Sequence, residues 1–275
     1  MSPVTDPAED RPAASDSAGI PWAGRAFEHN PHHDDDGSAD PALLAALREF
    51  HSGRGDRVAI VDAYRTARVL IPLIPHAGDH GIGPYGMPVD KTQELSIVSV
   101  SAPDGRTVLP VFTSTETMAS WNPEARPIPA AGVRTAVAAL SDGAELIVID
   151  PDSDTEFMLR RPAVWAVAQQ QPWAPSYQHP EVYRGLHQSI GTELAVIDLT
   201  IAAGDTGSSR YAPELVITLE LVDGLERAEL DAVLARLAKR WAADDRVAEL
   251  VDSLTVKIRR AGPPESGNTA DQVTG

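Results

Sequence analysis

Residues 69–74 read Val-Leu-Ile-Pro-Leu-Ile, six positions without a polar side chain. A strand wetted on one face alternates apolar and polar residues, and this run does not. It therefore requires a sheet covered on both faces, with helices or a further layer packed against it. The neighbouring sequence supplies those layers. Asp40 and Pro41 are a good cap and first-turn residue for a helix whose Leu43, Leu44, Leu47 and Phe50 form one stripe, ended by Gly53 and Gly55. Asp56 caps a second helix in which Val58, Val61 and Tyr64 share a face; a strand over 58–61 is the competing reading.

Beyond the apolar run, residues 76–91 read as a Gly/Pro loop. Residues 94–102 and 107–113 read as a hairpin turning at Pro103, Asp104 and Gly105. Ser114 caps a short helix ending near Trp121, and 133–140 is helical up to Gly143. Residues 146–149 and 157–159 are strands about a turn at Pro151, and Pro162 opens a helix to about Gln170. Pro172, Pro175 and Pro180 mark a linker over 172–180.

A second module follows, with a helix over 182–189, strands over 193–201 and 215–221 around a flexible loop at 204–209, and a closing strand over 254–258. Its helix over 226–242 places Leu230, Val233, Leu234, Leu237 and Trp241 on one stripe. Burying those side chains stabilises by about 7–15 kcal/mol gross, at about 1.5–3 each. That rivals a whole domain's net stability, so the stripe is core.

The expected fold class is α+β (mixed α/β). An N-terminal mixed-sheet domain with flanking helices (39–171) precedes a smaller C-terminal α-β-β-α-β domain (181–261). Residues 1–38 and 262–275 read as disordered tails, rich in Pro, Asp, Ser and Gly and lacking apolar periodicity. Within the first, Trp22 and Phe27 mark a short apolar stretch able to dock on its own or another domain.

The net charge is −17, seven units of it within residues 1–40. Such a surface repels a polyanion, and no basic patch with interleaved aromatics is present, so no nucleic-acid partner is expected. No apolar run approaches the ~20 residues a membrane span needs. The first ten residues are polar and acidic, without the pattern of a secretion leader. The chain has no cysteine, which excludes disulfides, cysteine-bound zinc and a cysteine nucleophile, and suits a reducing compartment. A cytoplasmic location is expected. Three lysines against 20 arginines, with abundant alanine, fit the GC-rich genome of an actinobacterium.

Motifs that carry chemistry fail on inspection. Gly81, Gly83 and Gly86 spell G-x-G-x-x-G, but Pro84 and Pro88 obstruct the helix a dinucleotide cradle needs. Asp150, Asp152 and Asp154 resemble the start of a calcium loop, yet Thr155 stands where glycine should turn the chain and Arg161 where a bidentate glutamate should close it. His29, His32 and His33 run into Asp34, Asp35 and Asp36, but an unordered tail cannot preorganise them for a metal. His187 to Gly191 would be a nucleophile elbow only if a glycine replaced His187 and a strand preceded it. No catalytic residue, metal ligand or cofactor is assigned.

Trp165, Trp173, Tyr177 and Tyr183 cluster around the linker. They either pack the two modules together or form an exposed patch that anchors a partner.

Residues 109–121, with Leu109-Pro110-Val111-Phe112-Thr113-Ser114 leading to Met118-Ala119-Ser120-Trp121, resemble the signature of the SseB (enhanced serine sensitivity) family. Residues 67–75 resemble that family's earlier strand, and 143–159, with Ile149-Asp150-Pro151, its later hairpin. Residues 180–260 resemble its C-terminal domain less distinctively. The resemblance implies an effect on serine tolerance and brings no catalytic residue with it.

Two expectations follow. One is a non-enzymatic cytoplasmic interaction or regulatory module, with a protein partner or self-association. The other is a binder of an amino acid or other metabolite, or an enzyme, with a pocket where Asp150, Asp152, Asp154 or His187 meet polar groups. The candidate surface comprises Trp121, Asp150, Asp152, Asp154, Trp165, Trp173, Tyr177 and Tyr183.

Overall fold

A computed structural model describes residues 34–75, 80–82, 88–90, 95–97, 100–101, 105–204 and 212–260. The chain divides into two units, Met1–Asp36 and Gly37–Gly275. Of the first, only Asp34, Asp35 and Asp36 are described. The docking stretch with Trp22 and Phe27, the three N-terminal histidines, Gly83 and Gly86 of the glycine motif, and most of the loop at 204–209 lie outside the described residues.

The fold is α+β. Asp40 caps α1 (Pro41–His51) by accepting from the Ala42 and Leu43 amides, and Asp56 caps α2 (Arg57–Thr66) through the Ala59 amide. The strand alternative for 58–61 therefore loses to the capped helix. The apolar run forms β1 (Arg68–Pro75), flanked by β7 (Arg126–Ala131) on one side and β4 (Leu95–Ile97) on the other, both antiparallel. The short hairpin of β2 (His80–Ile82) and β3 (Pro88–Asp90) stands where a loop was expected.

The expected hairpin over 94–113 is divided between partners. Its first arm breaks into β4, which pairs with β1, and β5 (Val100–Ser101), which pairs with β6 (Thr107–Val111). β6 lies parallel to β8 (Leu146–Ile149), and β9 (Phe157–Leu159) returns antiparallel beside β8. Reciprocal hydrogen bonds of 2.8 and 2.9 Å between Leu70 and Phe112 tie β1 to the end of β6.

α1, α2, α4 (Gly132–Ser141) and α5 (Arg161–Ala168) bring Leu47, Ile60, Tyr64, Val164 and Val167 against Val69, Val111, Ile147, Ile149 and Phe157 of the strands. On separate faces, Leu70 and Phe112 pack with Met118 of α3 (Thr115–Trp121), and Val108, Leu146, Val148 and Met158 form another buried cluster. Coverage on both faces is what the unbroken apolar run demanded.

The second module is α6 (Pro180–Ile190), β10 (Val196–Ala203), β11 (Leu215–Leu221), α7 (Arg227–Ala243), α8 (Asp245–Leu250) and β12 (Leu254–Arg260). Its sheet runs β10-β11-β12, antiparallel then parallel. Val233, Leu237 and Trp241 of the expected stripe are buried, and Leu230 and Leu234 pack beside them. α8 was not expected; it starts at its own cap, Asp244, which accepts from the Arg246 amide.

Candidate functional site

The carboxyl ends of β6 and β8 are where an open α/β sheet ordinarily receives a ligand. Here that position is filled from within. Asp150 follows β8, is fully buried and has φ of +46°, a left-handed conformation that aspartate tolerates better than most residues. Its Oδ1 accepts from the Thr113 amide at 2.7 Å and its Oδ2 from the Thr113 hydroxyl at 2.7 Å. The Thr155 hydroxyl donates to Oδ2 at 2.8 Å. The Thr117 hydroxyl lies 3.0 Å from Oδ1 and shares its proton with the Ser114 carbonyl.

Ser114 and Thr117 also form the capping box of α3. One side chain thus joins the end of β6, the first turn of α3 and the β8–β9 turn. A carboxylate so occupied and so deeply buried offers no free lone pair to a substrate; its chemistry is organisational.

Asp152 and Asp154 do not join it. Both are exposed, and the Asp152 amide donates to Glu156 Oε2 at 2.7 Å in a local turn. His187 sits on α6 in the other module. The three aspartates therefore do not converge with His187, which lines a groove of its own with Gln178, His179, Arg184 and Gln188. Among the described residues no three His, Cys, Asp or Glu side chains are grouped to hold a metal ion. Trp121 is half-buried, its ring centroid 5.2 Å from that of Phe112.

The remaining aromatics lie on two grooves that share His179. One, of about 640 Å³, runs between α5 and α8 and carries Trp165, half exposed, and Trp173. The other, of about 860 Å³, is lined by Tyr177, Pro180, Tyr183, His187 and Ile201. Tyr183 is half exposed, and its ring lies 4.0 Å from that of His187, whose buried Nε2 has no hydrogen-bond partner among the described residues. Burial raises the Tyr177 phenol above its ordinary pKa, against the opposing charge and hydrogen bond of Arg57. The stretch expected as a linker is ordered: Ser176–Gln178 is a 3₁₀ turn, and Pro175 and Ser176 are buried.

A polar seam not foreseen from the sequence holds these grooves in place. The Arg160 guanidinium is buried and donates to Asp252 Oδ2 at 3.0 Å, to the Ser253 hydroxyl at 3.2 Å and to the Ala212 carbonyl at 2.7 Å. Arg106 donates to both oxygens of Asp252 at 3.0 Å. Glu214 accepts from the Asp252 amide at 2.8 Å and the Ser176 amide at 3.2 Å. The only hints in the sequence were an Arg160–Arg161 pair after a strand and an Asp252–Ser253 pair before one.

These features define an α+β domain whose strand ends are closed by its own side chains and whose Arg106 and Arg160 are hydrogen-bonded to the segment before β12. Residues 42–166, 125 of the 275, match the SseB protein N-terminal domain, which supports membership of the SseB family. The match spans most of the first module and stops before the second. No curated protein and no solved structure gives a match to the chain. No helix among the described residues is long and apolar enough to cross a membrane.

Proposed function

We propose that this SseB-family chain is a non-catalytic, cytoplasmic interaction or regulatory module that presents the aromatic grooves around His179 to a protein partner. The observation that carries this reading is the half exposure of Trp165 and Tyr183 on grooves that meet at one residue. Large aromatics left exposed on a concave surface are the side chains most often found anchoring protein interfaces. The candidate acid, Asp150, is meanwhile spent on structure.

A single variant pair tests the proposal. Immobilised full-length chain is expected to capture a partner that the Trp165→Ala/Tyr183→Ala double variant does not, with both proteins melting at the same temperature. Equal capture by the double variant refutes the proposed surface.

A second reading, binding of an amino acid or other metabolite, is favoured by the unpartnered His187 Nε2 beside Tyr183. A rise of several degrees in melting temperature with one amino acid or nucleotide, abolished by His187→Ala, would put that reading first.

A further inference from the structure

Strand β12 forms one edge of the second sheet, and among the described residues it pairs only with β11. The opposite edge, β10, carries a register irregularity between Val196 and Asp198, a device that blunts edge pairing. β12 has no such irregularity and no proline. Its inward row, Leu254, Val256 and Ile258, lies incompletely covered, with Ile258 44% exposed. Beside that row is a groove of about 460 Å³, walled by Leu234, Ala238 and Ala242 of α7, with Val247 and Val251 also lining it. The sheet ends as though one more strand belonged beside it, with room beneath for that strand's side chains.

We infer that a second copy of this chain occupies the edge, its β12 antiparallel to the first across a two-fold axis at Val256. The strand's own pattern suits this occupant and register. Leu-Thr-Val-Lys-Ile over 254–258 reads apolar-polar-apolar-polar-apolar in either direction. Centred on Val256, Leu254 meets the partner's Ile258 and Val256 meets its counterpart, so all three apolar residues fall on the groove side. Lys257 then faces the partner's Thr255, and Arg259 faces the partner's Ser253. A pairing centred on Lys257 would set two lysines directly opposite, which is destabilising. Any half-residue shift would put apolar side chains across from polar ones. The small Ala238 and Ala242 leave the two α7 helices free to approach across the axis. The groove beside β12 shares Arg161 and Ala248 with the Trp165 groove, but the strand pairing runs along the β12 edge and does not depend on the role of the aromatics.

The full-length chain tests the inference directly. Sedimentation equilibrium is expected to give twice the 29.3 kDa chain mass, shifting to monomer on dilution. The chain has no cysteine, so Val256→Cys reports the axis cleanly: mild oxidation crosslinks it into a disulfide-bonded dimer, whereas Lys257→Cys does not crosslink under the same conditions. Ala238→Arg with Ile258→Lys, both at exposed positions, abolishes the dimer while leaving circular dichroism and melting of the monomer unchanged. A monomeric mass at every concentration overturns the inference. So does equal crosslinking through Lys257→Cys, a dimer indifferent to Ile258→Lys, or an edge occupied only by an unrelated strand.

Discussion

Replacing Asp150 measures what the buried carboxylate contributes. Asp150→Ala leaves the Thr113 amide, the Thr113 hydroxyl and the Thr155 hydroxyl without their acceptor. A buried donor left unsatisfied costs about 1–3 kcal/mol. The Thr155 hydroxyl recovers part of that by turning to Ser153 Oγ, 3.1 Å away. Alanine at a φ of +46° adds about 1 kcal/mol of backbone strain. The sum is about 4–6 kcal/mol, comparable to the whole stability of a marginal domain. Asp150→Asn keeps one oxygen for the Thr113 amide and tolerates the left-handed backbone, while both hydroxyls can rotate to accept from its NH₂. Its cost should be about 1–2 kcal/mol. Urea unfolding followed by far-UV circular dichroism reads both values from the midpoint shift at constant slope. An alanine variant within about 1 kcal/mol of the parent would refute the reasoning, as would an asparagine variant as damaged as the alanine one.

Asp252→Ala strands two arginines in the seam and should cost about 3–5 kcal/mol by the same unfolding assay, with Arg160→Met recovering part of it in the double variant. Leu237→Ala, at a fully buried position in the second core, should cost about 2–5 kcal/mol. A Cβ on Gly132 would lie 1.9 Å from the Tyr64 carbonyl oxygen, so Gly132→Ala should cost at or above the upper end of the usual 1–3 kcal/mol for overpacking, checked by melting temperature. The Glu193 carboxyl is held below the usual carboxylate range, first by its hydrogen bond to Arg236. The folded chain therefore binds that proton less readily than the unfolded one. The contribution is present at neutral pH and is lost as pH falls below the ordinary glutamate range. Glu193→Gln should lower stability at pH 7 and flatten its acid decline, followed by urea midpoints across pH.

Strands β8, β9 and β11 and helices α1, α4, α5 and α7 were legible because each is a local pattern: an apolar run, a cap, a stripe. β7 was not assigned, because Pro127 and Pro129 interrupt any strand pattern; at a sheet edge, proline is tolerated because no second strand requires its missing donor. The first arm of the expected hairpin divided because Leu95–Ile97 meets β1 rather than β6, a long-range choice that no local pattern states. Asp150 was noticed only for a resemblance to a calcium loop that the sequence itself ruled out, while its donors Thr113 and Thr117 lie 37 and 33 residues earlier in the chain. Its saturation was invisible for that reason.

The seam and the grooves belong to one argument about rigidity. Trp165 lies on the first module and Tyr183 on the second, so a partner contacting both depends on the angle between modules. A connection of three prolines would not fix that angle alone. Arg160 and Arg106 on Asp252, with Glu214 holding the Ser176 amide, bind both modules and the segment between them in buried bonds that must break together if the angle is to change. Breaking one member leaves a buried charge uncompensated, so small excursions are resisted steeply. Loosening the seam without unfolding either core, as in Asp252→Asn with Arg160→Met, should therefore weaken partner capture through Trp165 and Tyr183 although neither aromatic is touched. Capture at parental strength by such a variant, with altered inter-module hydrogen exchange, would show that the grooves act separately.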